Sequence, residues 1–180
     1  MELRIYKCCR AFEINKMEEK HYIIGNAREF SKDEIEAFKQ IVIKAGEVSS
    51  EAFDGLISKD PVLLFYPDTK NIEAVGALKK PNESYKKKVF EKSESQVNRH
   101  NYAFELGWIV CLKEEKGIGQ KITSALAIYK PKQYATVRKE NAKMNHILQK
   151  FGFTQVGKSY KSDRGNYENN LYLEDGSNGT

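Results

Sequence analysis

Cysteine and histidine are scarce in this chain. Its 180 residues hold three of each, with no Cys-x-x-Cys and no Cys/His pair at zinc-binding spacing. Cys8 and Cys9 are adjacent and badly placed to pair with each other, and Cys111 sits alone in an apolar run, so the cysteines fit a reducing compartment. His21, His100 and His146 are scattered, and no metal site is expected. No apolar run approaches membrane-spanning length, and Met1-Glu2-Leu3-Arg4 does not open like a signal peptide. The expected location is the cytoplasm, with no membrane partner. Repeats and low-complexity segments are missing from the interior as well.

What remains is the profile of a globular domain: 40% hydrophobic and 31% charged residues, enough for one substantial core. The formal charge of +5 is modest and mostly interleaved with acids. The exception, Lys86-Lys87-Lys88, reads as a solvated helix face. With no recognition-helix or RNA-binding-sheet signature, nucleic acid is not an expected partner. A mild positive field suits a polyanionic ligand such as a nucleotide-bearing cofactor.

Periodicity predicts a mixed α/β domain over residues 1–174, with helices on both sides of a central sheet. Residues 1–20 read as an appended strand or arm, and 175–180 as a disordered tail. Ser31-Lys32-Asp33-Glu34 is a capping box, followed by Ile35, Phe38, Ile41, Val42 and Ala45 at helical spacing and by Gly46 as the stop. A shorter helix from about Ser49 buries Phe53, Leu56 and Ile57. Strands at 62–66 and 72–78 flank a five-residue turn and form a hairpin. A helix over 84–92 precedes the longest strand candidate, 102–112, apolar enough to be covered on both faces. Gly107 within it signals a bulge or a close backbone approach. A helix over 120–129, a strand at 134–137, a helix capped by Asn141 and closing strands at 154–160 and 169–173 complete the order.

The densest functional signal is Gly117-Ile118-Gly119, between the long strand and a helix. Glycines there leave backbone N–H groups uncovered, and the helix N-terminus adds partial positive charge, so phosphate oxygens can bind without a basic side chain.

Four segments in order resemble the GNAT acetyltransferase superfamily, which uses acetyl-coenzyme A. Glu105-Leu106-Gly107-Trp108-Ile109-Val110 resembles its fourth strand, and Gly117-Ile118-Gly119-Gln120-Lys121 its pyrophosphate loop. Ala135-Thr136-Val137-Arg138-Lys139-Glu140-Asn141 is similar to its fifth strand and the asparagine opening the next helix, and Lys150-Phe151-Gly152-Phe153 to the Gly-Phe ending that helix. The resemblance covers residues 102–160, and the first hundred by element order alone. It implies a mostly antiparallel sheet that splays between the fourth and fifth strands.

It also implies an N-acetyltransferase in which a primary amine, on a small molecule or a peptide, attacks the thioester of acetyl-CoA directly in a ternary complex. By that resemblance the backbone around Ile109, Val110 and Leu112 contacts the pantetheine arm, and an N–H of Ile109 or Val110 stabilises the thioester oxygen. Gly117, Ile118, Gly119, Gln120 and Lys121 hold the pyrophosphate, with Lys116 and Lys121 adding charge or simply facing solvent. Glu105 is the candidate general base, or else a mouth glutamate that binds a cation. Asn141 is a helix cap and a candidate contact to coenzyme A. Arg138 and Lys139 are placed to approach the adenosine phosphate or lie exposed, and Trp108 lines the acceptor pocket or belongs to the core. No metal is implied, and a monomer or a homodimer fits equally.

The sequence departs from the family at three points. Glu114 stands where the motif usually has Gln or Arg, the loop before Gly117 is short, and Leu148 occupies the place of a tyrosine thought to protonate the departing thiolate. Tyr102 or Tyr160 could replace that acid from a strand, and a thiol of pKa ~8.5 can leave unprotonated. These departures keep a second reading open: a GNAT-fold module that binds coenzyme A or a partner without turnover.

Overall fold

A computed structural model describes residues 21–113 and 115–174. The expected N-terminal arm, the tail beyond Glu174 and Glu114 lie outside the described residues. Within them the chain runs β1 (Ile23–Asn26), α1 (Lys32–Lys44), α2 (Ser50–Ile57), β2 (Val62–Tyr66), β3 (Ala74–Lys79), α3 (Glu83–Lys92) and β4 (Phe104–Cys111). It continues through α4 (Ile118–Tyr129), β5 (Gln133–Arg138), α5 (Ala142–Lys150), β6 (Phe153–Lys161) and β7 (Glu168–Glu174).

Seven strands form one sheet in the order β1-β2-β3-β4-β5-β7-β6. Every neighbouring pair is antiparallel except β4 and β5, which run parallel because α4 crosses over between them. One face is covered by α1 and α2. There Phe38, Phe53, Phe65 and Trp108 form an aromatic cluster, with Phe53 stacked on Trp108 at 5.3 Å. Burying each such ring stabilises the fold by about 2–3 kcal/mol. The other face packs against α4 and α5 through Ile118, Ile122, Leu126 and Leu148. A third, smaller cluster seats Val89 and Phe90 of α3 over Tyr134, Leu171 and Tyr160.

The predicted capping box forms: Glu34 N–H donates to Ser31 Oγ, and Ser31 N–H donates to the Glu34 carboxylate. Two expectations need correction. The helix after the glycine loop begins at Ile118 rather than Gln120, so Gly119 lies inside its first turn. The lysine run is a solvated face only in part: Lys87 and Lys88 are exposed, but Lys86 is buried, pairing with Glu83 at 2.6 Å and donating to the Tyr102 carbonyl. Lys87 and Lys88 pair with Glu91 and Asp163. Among the described residues no helix is long and apolar enough to cross a membrane.

One glycine fixes where α3 sits. Gly157 on β6 has a φ of +65°, and a Cβ there would lie 2.0 Å from the Ser93 carbonyl oxygen, which already accepts from the Lys158 N–H. Gly157→Ala therefore forces both an unfavourable backbone and a displaced α3, and is expected to cost at least about 2 kcal/mol in urea unfolding. Gly55, inside α2 with open space around its would-be Cβ, is the contrasting site. Gly55→Ala should stabilise by about 0.5–1 kcal/mol, and equal effects of the two substitutions would contradict the packing described.

Candidate active site

The parallel pairing of β4 with β5 is short. It joins Phe104, Glu105 and Leu106 to Gln133, Tyr134 and Ala135, and then the strands diverge. A bulge on β4 accompanies the divergence: Gly107 still pairs with Ala77, but Val110 pairs with Val75, so Trp108 and Ile109 together face Gly76. Trp108 carries the strain, at a φ of +52°. Gly76 is required opposite it, since a Cβ there would come within 2.8 Å of Ile109 Cδ1 and Leu126 Cδ1. A cleft of about 610 Å³ opens along the splay, lined by Ile109, Val137, Asn141 and Met144, and reaches Glu105 and Glu47.

Beyond the end of β4, Gly117 in the left-handed region (φ 93°) is the N-cap of α4 and brings no side-chain cap. The first helical bond is Lys121 N–H to the Gly117 carbonyl at 2.9 Å. The amides of Ile118, Gly119 and Gln120 precede it in the turn and have no partner within the helix. The space around Gly117 holds no heavy atom within 4 Å of a would-be Cβ. A strand splay, a bulge and an uncapped helix start thus follow one another along β4 and α4.

Solved structures share this fold. A GNAT-family acetyltransferase from Streptococcus agalactiae superposes with a TM-score of 0.62 at 14% identity, over 85% of this chain and 94% of its own. NAA60 from Arabidopsis thaliana, solved with a bisubstrate analogue, gives 0.58 at 14% identity, over 87% and 99%. The AHL synthase LasI gives 0.61 at 16% identity, over 85% and 88%. No protein-family model and no curated protein matches the sequence itself. This chain has the GNAT fold. At such identities the likeness establishes architecture, and the chemistry has to be argued from the side chains.

In that GNAT frame Glu105 lies at the floor of the cleft, 3% exposed. Lys79 is its direct partner across the β3–β4 pair, and their charges meet at 3.0 Å. Gly107, two residues on and on the same face, leaves room for this: a Cβ there would lie 3.1 Å from Lys79 Nζ. The other carboxylate oxygen accepts from Tyr85 of α3 and Thr136 of β5, each at 3.1 Å. Three donors therefore hold Glu105 in one rotamer. Gly107 thus marks a close approach, while the bulge falls on its neighbour. Burial pushes the Tyr85 and Tyr160 phenols up, and the negative charge of Glu105 pushes the same way, so both stay protonated donors.

Several predicted contacts change role. Leu112 donates its N–H to the Glu73 carbonyl, which sets the phase of the strand end. By alternation the backbones of Leu112 and Val110 face β3, whereas those of Ile109 and Cys111 face the splay. Of the three residues expected at the pantetheine arm, Val110 and Leu112 thus turn their backbones to β3, and Ile109 alone aims its backbone at the splay. Ile118 is buried in the core, so it offers the groove its amide alone. The Lys121 amide is already used within the helix, and its ammonium lies 5.8 Å from the Tyr66 ring. Lys116 and Gly117 are exposed, and Gln120 accepts from Lys150 through its side chain. Asn141 caps α5 by accepting from Met144 N–H and also lines the cleft. Lys139 pairs with Glu168 at 2.7 Å. Trp108 is 2% exposed and belongs to the core while also forming part of the cleft wall.

Leu148 is fully buried, so α5 presents no acid at that position, and His146 is exposed. Of the two tyrosines considered as substitutes, Tyr160 lines the cleft and Tyr102 packs beside Phe90. Sequence reasoning missed Lys79, Tyr85, Thr136, Glu47 and Cys111. Only the strand register brings Lys79 and Thr136 to Glu105, and Cys111 shows its place only through Gly119, whose Cβ would lie 3.7 Å from its Sγ. Among the described residues no group of three His, Cys, Asp or Glu side chains could hold a metal.

Lys79 and Glu105 form a buried pair, with side chains 12% and 4% exposed. Lys79→Met would strand the carboxylate and should cost about 3 kcal/mol, read by denaturant unfolding. In the double variant Lys79→Met/Glu105→Gln the loss should be smaller than the sum of the two single losses. Strictly additive losses would contradict the pairing.

Proposed function

We propose that this protein is an acyl-CoA-dependent N-acyltransferase that moves an acetyl group to a primary amine, and that it works in the cytoplasm. The observation that carries this reading is a cleft that runs along the splay from Ile109, Asn141 and Met144 past the bulge at Trp108 to the carboxylate of Glu105, with the uncapped start of α4 following the end of β4. The site fits coenzyme A on three counts: the start of α4 is uncapped, Gly117 presents no obstructing side chain, and beyond Leu106 the β5 side of β4 has no strand partner among the described residues. Ile118, Gly119 and Gln120 would hold the pyrophosphate through their amides. The backbone of Ile109 would contact the pantetheine arm, and Asn141 would add a polar contact. Acetyl-CoA supplies an activated thioester carbonyl.

In this reading the acceptor enters beside Glu105, which takes the proton of the ammonium, and the neutral nitrogen attacks the carbonyl carbon. The new N–C bond forms as the C–S bond breaks, the sulfur keeps the bonding electrons, and the nitrogen sheds its remaining excess proton to water as the amide forms. An amide N–H on the groove side of the bulge stabilises the oxygen as its charge grows. Lys79, Tyr85 and Thr136 serve Glu105 by fixing its position. With Leu148 in the core, α5 gives the thiolate no proton. Tyr160 faces the cleft, but its raised phenol is a weak acid, so the thiolate departs as such.

The buried Leu148 and the fully engaged Glu105 also favour a second reading, a module that binds coenzyme A without turnover. Acetyl-CoA-induced thermal stabilisation together with amine-dependent thiol release supports the enzyme. Stabilisation without release supports the module.

Gly119 gives a clean probe, because a Cβ there meets only ordinary contacts at 3.7 and 3.8 Å. Gly119→Val should fold normally yet raise the KM for acetyl-CoA by about tenfold or more, by covering the amides. An unchanged KM would remove the α4 turn from the site. Glu105→Gln should lower kcat by at least about tenfold, per folded molecule, while acetyl-CoA affinity holds. Normal turnover in that variant would take Glu105 off the reaction path.

A further inference from the structure

The acceptor end of the cleft is crowded with charge, and most of it is already matched. Glu105 is engaged by Lys79. Asp163, in the loop between β6 and β7, holds Lys88 at 2.7 Å and Lys92 at 2.5 Å, and these two lysines pull its carboxyl down to about 2. Three charged side chains lining the cleft have no ion-pair partner among the described residues: Glu47, Arg138 and Arg164. They come from three separate elements, the α1–α2 loop, the end of β5 and the β6–β7 loop.

Their arrangement is specific. Arg164 donates one guanidinium N–H to the Glu47 carbonyl at 2.8 Å, which ties the two loops together across the cleft and leaves its other donors available. The Arg138 guanidinium carbon lies 4.3 Å from the centroid of the Tyr167 ring, a cation–π contact that restrains it, and the residue is otherwise exposed. Arg138 follows Thr136 on the same face of β5, the face that carries Glu105. Glu47 lines the cleft, and partial burial raises its carboxyl while the charges of Lys79, Arg138 and Arg164 oppose the rise. One carboxylate beside two guanidiniums is the complement of a molecule carrying one ammonium and one anion. Planar guanidiniums match a carboxylate better than a point charge would.

We propose that the acceptor is a small amine that also bears a carboxylate, with the carboxylate held by Arg138 and Arg164 and the ammonium directed between Glu47 and Glu105. This deepens the transferase reading and rests on it. Two positive charges in excess of the carboxylates at the acceptor end disfavour polycationic amines, and the loop tie between Arg164 and Glu47 limits the room for a chain passing through.

The test is thiol release from acetyl-CoA with three amines of equal length: 4-aminobutyrate, 4-aminobutanol and 1,4-diaminobutane, together with α-amino acids and their amides. Carboxylate-bearing amines should give kcat/KM values about tenfold or more above their neutral and cationic counterparts. Arg164→Gln and Arg138→Gln should erase that preference by raising the acceptor KM, while the KM for acetyl-CoA stays put. Arg164→Lys should recover part of the preference, and acetyl-CoA-induced thermal stabilisation checks that each variant is folded. Faster transfer to alcohols or diamines would overturn the acceptor assignment alone. So would a rise in the acetyl-CoA KM of Arg138→Gln with the amine preference intact, because it would place that guanidinium on the cofactor. Acetyl-CoA binding with no thiol release from any amine would overturn the transferase reading itself.

Discussion

The parallel contact between β4 and β5 lasts three residue pairs and then fails, and the rest of the site depends on that failure. A sheet that stayed paired would fill its own edge and leave nothing for a ligand to contact. Two local features keep the strands apart. The bulge at Trp108 and Ile109 turns β4 away, and Gly76 opposite it lets Ile109 and Leu126 close the sheet from the α4 side. The strained backbone at Trp108 is held by stacking of its ring against Phe53 and by the surrounding aromatic cluster. The α1–α2 face of the core therefore fixes the shape of the groove.

The second constraint is electrostatic. A carboxylate as deeply placed as Glu105 would be costly without partners. The cross-strand lysine, the phenol from α3 and the threonine of β5 supply them. Each partner comes from a different element, so the position of α3 matters to the floor of the cleft. Gly157 and Ser93 lock α3 against β6, and the Asp163 pairs with Lys88 and Lys92 hold the β6–β7 loop to the same helix. Structural and functional contacts are shared along this side of the molecule.

Much of this was legible in the sequence wherever a single residue dictates local geometry. Ser31 and Glu34 announced α1, Asn141 announced α5, and Gly117 announced the turn before α4. The apolar run around Trp108 announced the central strand. Helix starts were misplaced where a glycine sits inside the first turn, as Gly119 does, because glycine reads as a breaker from sequence alone. Lys86 looked solvated because its neighbours are lysines, yet Glu83 one turn back and the Tyr102 carbonyl bury it. The site was legible as a strand-turn-helix and hidden as a cluster. No spacing rule connects Lys79, Tyr85, Glu105 and Thr136, and the backbone directions of Ile109, Val110 and Leu112 follow from one hydrogen bond to Glu73.

The central claim is that the uncapped amides of α4 and the open edge of β4 form one binding surface for coenzyme A. Its most direct measurement is a titration of the labelled protein with acetyl-CoA, following backbone amide resonances by NMR. The account predicts that the largest shifts fall on Gly117 to Gln120, Ile109 and Cys111, with Val110 and Leu112 moving less. Still resonances at the α4 turn, with the largest changes on α3 or the β6–β7 loop, would contradict it.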